Sequence, residues 1–531
     1  MTVSIKTGRL WPWLVAMVAL GLIGCSLTLL LRAEAGVMVE HSWLDSTPVT
    51  VFRPADELQT EWVLQGERRN NSGLPVVLIS HGFAGSQQLM ESFAFSLARN
   101  GFLAVTFDYF GHGSNLEPLR GNVTEVEGAT QALLQQTRAV ADFALGQPDA
   151  STDFALLGHS MASDIIVRYE RTDARVGASV AISLFSREVT ADAPRNLLVI
   201  AGGFEGFLKD EALRVVGMVR EPPEVAITVG DFANGSARRA VFAPGVEHVG
   251  VLYSPTSLRE TVEWLKASFG LPTEDYVNQA DDRGWGILML LAGLVMLAWP
   301  LSQCLPRVVS PAQGLNPGWR TLLPGALIPA ILTPLLLVAF PADFMGVLVG
   351  GYLAVHFALY GLITGGYCLW RRQSSQGAMA SSQRRWVLAM VAALLAALYA
   401  AGLFGWAMDR FVTSFMVTAP RWPLLALMLG GTLIYFLADE WLTRGPDVPR
   451  GAHLLTRFCF LLSLGLAVAL SFQELFFLLI IAVVIIPYFL IYGLTSGWVY
   501  RATGDPLVSA LPSAVAFGWA LAVVFPQLSG G

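Results

Sequence analysis

The chain has 531 residues, of which 54% are hydrophobic and only 14% are charged. Soluble domains carry about 25% charged residues, so this composition excludes a single soluble globule. Residues 33–283 contain 19 Lys or Arg against 33 Asp or Glu, whereas residues 284–531 contain 12 against 7. We therefore expect an acidic soluble domain followed by a membrane domain. The sequence has no basic stripe outside the membrane flanks, which argues against a nucleic-acid partner.

The N-terminus carries an apolar run at residues 11–31, preceded by Lys6 and Arg9. The run is long enough to span a bilayer. A secretory signal peptide starts in the same way, but its apolar core is shorter and a small-residue cleavage site follows it. A lipoprotein signal ending at Cys25 is a further alternative, although the residues after Cys25 remain apolar. We favour an uncleaved signal anchor in residues 1–32.

Eight further apolar stretches follow the soluble region and predict a bundle of about eight transmembrane helices within residues 283–527. The stretches are residues 285–303, 321–340, 344–369, 386–408, 422–441, 453–470, 475–494 and 507–526. The connections at 341–343 and 471–474 are very short, so each adjoining pair is alternatively a re-entrant hairpin.

The positions of the basic residues predict the orientation, because cytoplasmic loops are enriched in Lys and Arg. With a cytoplasmic N-terminus, only Arg410 and Arg421 fall in short outer loops. The basic residues on the inner side are Lys6, Arg9, Arg307, Arg320, Arg371, Arg372, Arg384, Arg385, Arg444, Arg450, Arg457 and Arg501. We therefore expect an integral protein of the cell or inner membrane, with its soluble domain on the extracytoplasmic, periplasmic side.

Strand-like and helix-like segments alternate in the soluble region. Residues 75–80, 102–108 and 154–160 are apolar, β-rich runs, whereas 131–145 has apolar residues at helical spacing. Apolar strands alternating with helices are typical of a parallel sheet covered on both faces. The predicted fold class is α/β, with a doubly wound, mostly parallel sheet in residues 33–272, followed by the all-α membrane bundle.

The sharpest motif is Gly-His-Ser-Met-Ala at residues 158–162, which fits G-x-S-x-G except for Ala162. In this motif the serine lies on a strained turn between a strand and a helix, where only small neighbours fit. Alanine is the mildest departure from glycine. A strand-like segment precedes the motif and a helix-like segment, 163–170, follows it, which is the context that the motif requires.

Three segments together resemble the α/β-hydrolase fold family, over residues 75–268. HGFAGS at 81–86 resembles the loop after the third strand, DYFGHGSN at 108–115 the turn after the next strand, and GHSMAS at 158–163 the nucleophile elbow. The resemblance implies a serine nucleophile, an acid and a histidine base that follow one another in that chain order.

Ser160 is accordingly the expected nucleophile, and His248 is the only histidine after it within the soluble region. The family places the acid after a strand, so Glu205 is the best match, because residues 195–207 read as a strand followed by glycines and then Glu205. Asp231 is the alternative acid. If Glu205 is the acid, the intervening residues 208–238 form a lid or a wall of the substrate site. If Asp231 is the acid, they form a surface insertion without a role in the site.

The oxyanion hole of such a site consists of two backbone N–H groups. The resemblance assigns one to Met161, directly after the nucleophile, and the other to Phe83 in the 81–86 loop. His81 is expected to shape this loop and to take no part in the chemistry.

Two functions follow from this organisation. The first is a membrane-anchored serine hydrolase, an esterase or lipase-like enzyme that cleaves a carboxylic ester through an acyl-enzyme; because the domain is tethered to the bilayer, a lipid is a candidate substrate. This chemistry needs no cofactor and no metal. The alternative is a non-catalytic hydrolase-fold domain that serves a membrane transporter or scaffold, since the bundle is far larger than anchoring requires.

Overall fold

The computed structural model describes residues 10–55, 73–121, 126–272, 281, 283–340, 344–374 and 384–529. Lys6 and Arg9 lie outside these ranges. The described chain begins with helix α1 (Trp11–Ala33), continues through a sheet domain, and ends in a helical bundle.

The sheet domain contains eight strands in the order β1-β2-β4-β3-β5-β6-β7-β8. Strands β1 and β2 are antiparallel to their neighbours, and all other pairs are parallel. The predicted mostly parallel sheet is therefore confirmed. The strands are β1 (Val37–Leu44), β2 (Thr47–Pro54), β3 (Leu74–Ser80), β4 (Leu103–Phe107), β5 (Ala150–His159), β6 (Val176–Ile182), β7 (Leu197–Gly202) and β8 (Arg238–Ala243).

Helices cover both faces of the sheet, because alternate residues of each buried strand point to opposite sides. Val76 and Leu78 of β3 belong to one buried apolar cluster, and Val77 and Ile79 to another on the opposite face. The covering helices are α2 (Glu91–Arg99), α3 (Gln131–Leu145), α4 (Met161–Glu170), α5 (Gly206–Gly217) and α6 (Pro255–Phe269). The central strands thus form a rigid platform for the loops at their ends.

The described C-terminal region consists of helices joined by loops. Its helices are α7 (Arg283–Ser302), α8 (Trp319–Leu337), α9 (Gly350–Ser374), α10 (Trp386–Ala397), α11 (Phe404–Phe411), α12 (Trp422–Thr443), α13 (Ala452–Leu470), α14 (Phe472–Leu475), α15 (Leu478–Thr503) and α16 (Pro506–Val524). A π-helical turn, Leu398–Leu403, joins α10 to α11.

Within the described residues, eight helices are long and apolar enough to cross a membrane. They are α1, α7, α8, α9, α12, α13, α16 and the continuous segment Trp386–Phe411. The predicted stretch at 475–494 falls mostly in α15, which is outside these eight. Of the two short connections, 341–343 lies outside the described residues, and 471–474 contains the start of the four-residue helix α14. These helices indicate a membrane protein.

The N-terminal helix is part of the bundle. Ser26 donates a hydrogen bond of 2.6 Å to the carbonyl of Gly286 in α7. A Cβ atom on Gly293 would lie 2.8 Å from the side chain of Ile23, so glycine is what allows α1 and α7 to approach closely.

The sheet domain is joined to the bundle by buried charges. Arg283, at the start of α7, is 1% exposed and pairs with Asp281 and with Glu91 of α2. The two arginines assigned to outer loops also lie next to the sheet domain. Arg410 pairs with Glu34, which connects α1 to β1, and Arg421 donates to the carbonyl of Gly111, after β4. That loop therefore lies on the same side of the bundle as the sheet domain.

Candidate active site

Ser160 occupies a strained turn at the carboxyl end of the central strand β5. Its φ is 53° and its ψ is −118°, a conformation that L-residues rarely adopt. Its N–H donates to the carbonyl of Ile182 in the neighbouring strand at 2.9 Å. A Cβ atom on Gly158 would lie 2.6 Å from the carbonyl oxygen of Ala162, which explains why the motif needs glycine at that position.

His248 and Glu205 converge on this serine from two other loops. His248 Nε2 lies 2.9 Å from Ser160 Oγ, and His248 Nδ1 lies 2.5 Å from Glu205 Oε1. Glu205 follows β7, whereas His248 follows β8, so both approach Ser160 from the carboxyl edge of the sheet. The structure thus brings together three residues that are 43 to 88 positions apart in sequence.

The second oxygen of Glu205 is held by two donors. Glu205 Oε2 accepts a hydrogen bond of 2.6 Å from the N–H of Gly202 and one of 2.8 Å from the Ser183 hydroxyl. Burial alone would raise the pKa of this carboxyl, but the hydrogen bonds from His248, Gly202 and Ser183 outweigh it and hold the pKa below its ordinary value. Glu205 is therefore ionised and fixed in orientation at neutral pH.

The alternative acid, Asp231, is placed elsewhere. Its carboxylate accepts from the N–H of Ala233 and caps the short helix Phe232–Asn234. The segment 208–238 begins within α5, whose Ala212 and Val216 are buried against the sheet. This part of the segment is a covering helix of the α/β layer.

The loop after β3 lies directly beside the nucleophile. A Cβ atom on Gly82 would lie 3.0 Å from Ser160 Cβ and 3.0 Å from His159 Nδ1. Phe83, the next residue, and Met161, which follows Ser160, are both half-buried there. Of the two backbone positions predicted for the oxyanion hole, Met161 follows Ser160 directly, and Phe83 follows Gly82, which lies close to Ser160.

His159 and Asp108, to which the sequence motifs assign no catalytic role, hold the loops around Ser160 in place. His159 Nε2 lies 3.0 Å from the backbone carbonyl of His248 and must donate to it. The Asp108 carboxylate accepts from the N–H groups of Gln87 and Ser114, so it ties the loop after β3 to the turn after β4. Both residues hold the site's loops and do not contact Ser160 Oγ.

Three buried histidines near the site are neutral. Burial, with a further contribution from His112, lowers the pKa of His81 to about 3, and burial and the nearby His248 lower that of His159 to about 3. Burial likewise lowers the pKa of His112 to about 4. His81 Nε2 accepts from the N–H of Tyr109 and its Nδ1 donates to Gly82, which fits the structural role expected for His81.

We expect the sheet domain to lose stability as the pH falls from 7 to 4. Each of the three histidines has a folded pKa below the unfolded value of about 6.5, so their contribution is complete above pH 6.5 and is lost as protons bind the unfolded state. Asp108 opposes this trend, because burial raises its pKa to about 6. Thermal unfolding of the detergent-solubilised protein at pH 7, 6 and 5 measures the net effect.

His112→Asn should flatten that profile, because an asparagine amide still offers a donor to the Phe110 carbonyl but takes up no proton. A wild-type melting temperature that does not change between pH 7 and pH 5 would contradict the predicted loss of stability.

One group of potential metal ligands occurs among the described residues, inside the bundle. Ligand atoms of Asp439, Glu440 and His453 lie within 4.8 Å of one another. However, Glu440 already accepts from the guanidinium of Arg444 at 2.7 Å, and Arg457 lies 4.0 Å away. Two guanidinium groups oppose a bound cation, so this cluster is a neutralised charge network.

The active-site loops also contact the bundle. Ser86 Oγ accepts from the N–H of Ser414 at 2.9 Å, and the hydroxyls of Ser114 and Ser414 are 3.3 Å apart. The ring of Phe83 packs against that of Phe477 with a centroid distance of 4.9 Å. The bundle therefore borders the candidate site directly.

Comparison with known families gives one match. Residues 74–191, which include β3, the loop after it and the turn at Ser160, match the family described as serine aminopeptidase, S33. No curated protein matches the chain.

Solved structures similar to this chain include several esterases. Methylesterase BT1017 is 14% identical, with 53% of this chain and 68% of that chain covered and a TM-score of 0.30. A glucuronoyl esterase from Solibacter usitatus is 14% identical over 44% of this chain and 83% of its own, with a TM-score of 0.30. A ferulic acid esterase from Streptomyces cinnamoneus is 14% identical over 46% and 94%, with a TM-score of 0.30.

Proposed function

Because the sheet domain has the α/β-hydrolase fold, we propose that this protein is a membrane-anchored serine hydrolase that cleaves a carboxylic ester. The observation that carries the proposal is the hydrogen-bonded series from Ser160 Oγ through His248 to Glu205 on a strained strand-to-helix turn. A serine hydroxyl is a weak nucleophile at neutral pH, and this arrangement is the one that activates it.

In the proposed reaction, Ser160 Oγ attacks the ester carbonyl carbon while His248 Nε2 takes the hydroxyl proton. Glu205 accepts from His248 Nδ1–H and stabilises the imidazolium that forms. The tetrahedral intermediate collapses, the ester C–O bond breaks, and His248 returns the proton to the departing alcohol. Water, activated by the same histidine, then cleaves the acyl-enzyme and releases the carboxylic acid.

The backbone N–H groups of Phe83 and Met161 are proposed to bind the oxyanion of that intermediate. Donors of this kind act where charge develops, and losing one typically costs about 100- to 1,000-fold in rate. Their support is the position of the 82–83 loop against Ser160.

The test is labelling of the full-length protein with a short-chain fluorophosphonate, wild type beside Ser160→Ala. We expect wild type to be labelled and to hydrolyse a generic ester, and Ser160→Ala to do neither. Folded wild-type protein that takes up no probe would contradict the proposal and favour the alternative, a binding domain that serves the bundle.

We also propose that residues 1–32 anchor the chain with a cytoplasmic N-terminus, that residues 33–272 are the extracytoplasmic hydrolase domain, and that residues 283–527 are the bundle. The support is the excess of Lys and Arg on the side opposite the sheet domain. On intact spheroplasts, an impermeant maleimide should label Asp153→Cys and spare Arg450→Cys until the membrane is permeabilised, in a background where the native cysteines are serine. The reverse pattern would refute this orientation.

A further inference from the structure

The carboxyl edge of the sheet faces the end of the helical bundle. The loops after β3 and β4 hydrogen-bond to Ser414 and Arg421 of the bundle. Ser160 lies at the carboxyl end of the neighbouring strand β5. Since the carboxyl ends of parallel strands meet at one edge, a substrate that reaches Ser160 does so beside the membrane domain.

A row of aromatic rings runs from the site onto the bundle. Phe83 contacts Phe477 at 4.9 Å between ring centroids, Phe477 contacts Phe476 at 5.8 Å, and Phe476 contacts Phe472 at 5.6 Å. Phe476 and Phe472 are 43% and 57% exposed, at the end of the membrane-spanning helix α13. We call these four residues the aromatic row.

Interfacial aromatics also anchor helices in membranes, but anchoring alone does not account for this row. Its first member, Phe83, belongs to the sheet domain and follows Gly82, where a Cβ atom would lie 3.0 Å from Ser160 Cβ. The row therefore continues past the helix end into the catalytic loop.

The opposite side of the site is apolar as well. Phe185 and Phe207 contact each other at 5.8 Å, and both are more than half exposed. Phe185 follows β6, and Phe207, in α5, comes two residues after Glu205, whose predecessor Phe204 is 74% exposed. Exposed rings on both sides of a reactive serine indicate a substrate with a long apolar part.

We infer that the substrate is a membrane lipid with a fatty acyl ester, and that the acyl chain lies along the aromatic row while its carbonyl carbon reaches Ser160. The inference rests on the proposed serine hydrolase function and names its substrate class. In this arrangement the bundle supplies part of the substrate-binding surface, since Phe472, Phe476 and Phe477 all belong to it.

The test compares a short and a long acyl ester on the full-length protein in mixed micelles. The substrates are p-nitrophenyl acetate and p-nitrophenyl palmitate, and the variant is Phe472→Ala/Phe476→Ala. The matched control is Phe458→Ala, which removes a ring that is also 57% exposed, on the neighbouring helix α13. Because both substituted rings of the variant are exposed and outside the buried core, the protein should fold.

We expect wild type to prefer palmitate, and the double variant to lose about ten-fold or more in kcat/KM for palmitate, the range that lost contacts in an apolar site produce. Hydrolysis of acetate and labelling by a short-chain fluorophosphonate should stay unchanged, and Phe458→Ala should match wild type. Two outcomes with normal fluorophosphonate labelling would overturn the inference and leave the serine hydrolase proposal intact. In the first, wild type hydrolyses both esters equally well. In the second, the double variant hydrolyses palmitate as fast as wild type does. Absence of labelling in wild type would overturn both.

Discussion

Glu205→Gln is expected to lower kcat/KM for an ester by roughly 1,000-fold or more, whereas Asp231→Asn should leave it unchanged. Gly202 N–H and the Ser183 hydroxyl both donate to Glu205 Oε2, so a glutamine must present its carbonyl oxygen to them. Its NH2 group then faces His248 Nδ1 and forces the tautomer that carries its proton on Nε2. That tautomer cannot accept the Ser160 proton, and loss of the correct tautomer costs about 10,000-fold in a well-studied serine protease.

Ester hydrolysis by the purified full-length variants measures the effect, with fluorophosphonate labelling as a second readout. Asp231→Asn is a matched carboxylate-to-amide change in the same domain, and the cap on Ala233 survives it because an amide oxygen still accepts. Full activity in Glu205→Gln together with loss in Asp231→Asn would reverse the assignment of the acid.

The geometry of the site follows largely from local patterns in the sequence. The turn at Ser160 was predictable because a buried strand, a glycine and a helix succeed one another within a few residues. His248 was identified as the only histidine after Ser160 in the soluble region, and Glu205 by its position after a strand.

Other elements of the fold had no such local pattern. Strand β1 is an exposed edge strand with charged and polar residues between its apolar ones, so its apolar run is interrupted. Strand β6 contains Gly177 and Ser179, and small residues weaken a strand signal. Both strands are fixed by pairing with neighbours rather than by their own composition.

Contacts between the two domains could not be predicted at all. Phe83 and Phe477, or Ser86 and Ser414, are separated by more than 300 residues and carry no mutual sequence signal. The buried Glu440 of the bundle is a mixed case: its salt bridge to Arg444 is local, one helical turn away, whereas Arg457 comes to within 4.0 Å of it only because α12 and α13 pack together.

Arg421 joins three segments that are far apart in sequence. Its buried guanidinium donates to the carbonyls of Gly111, Ala522 and Phe525, at 2.7, 3.0 and 2.6 Å. Gly111 has a φ of +74°, and a Cβ atom there would lie 2.3 Å from the Gln527 carbonyl, so the C-terminal segment packs tightly on this turn. The same turn is tied through Asp108 to the loop after β3.

Arg421→Met should therefore destabilise the protein by on the order of 3 kcal/mol, since each buried carbonyl left without a donor costs about 1–3 kcal/mol. The matched control is Arg410→Met, the same change at an exposed arginine whose partner is Glu34; surface ion pairs contribute about 0–1 kcal/mol. Thermal unfolding of the two variants in detergent measures the difference in stability.

The same pair of variants tests whether the bundle supports the active site. Asp108 hydrogen-bonds both to the turn after β4 and to the loop after β3. Fluorophosphonate labelling of Ser160 should therefore also slow in Arg421→Met and not in Arg410→Met. Equal melting temperatures and labelling rates in the two variants would show that the bundle does not hold the active-site loops through this arginine.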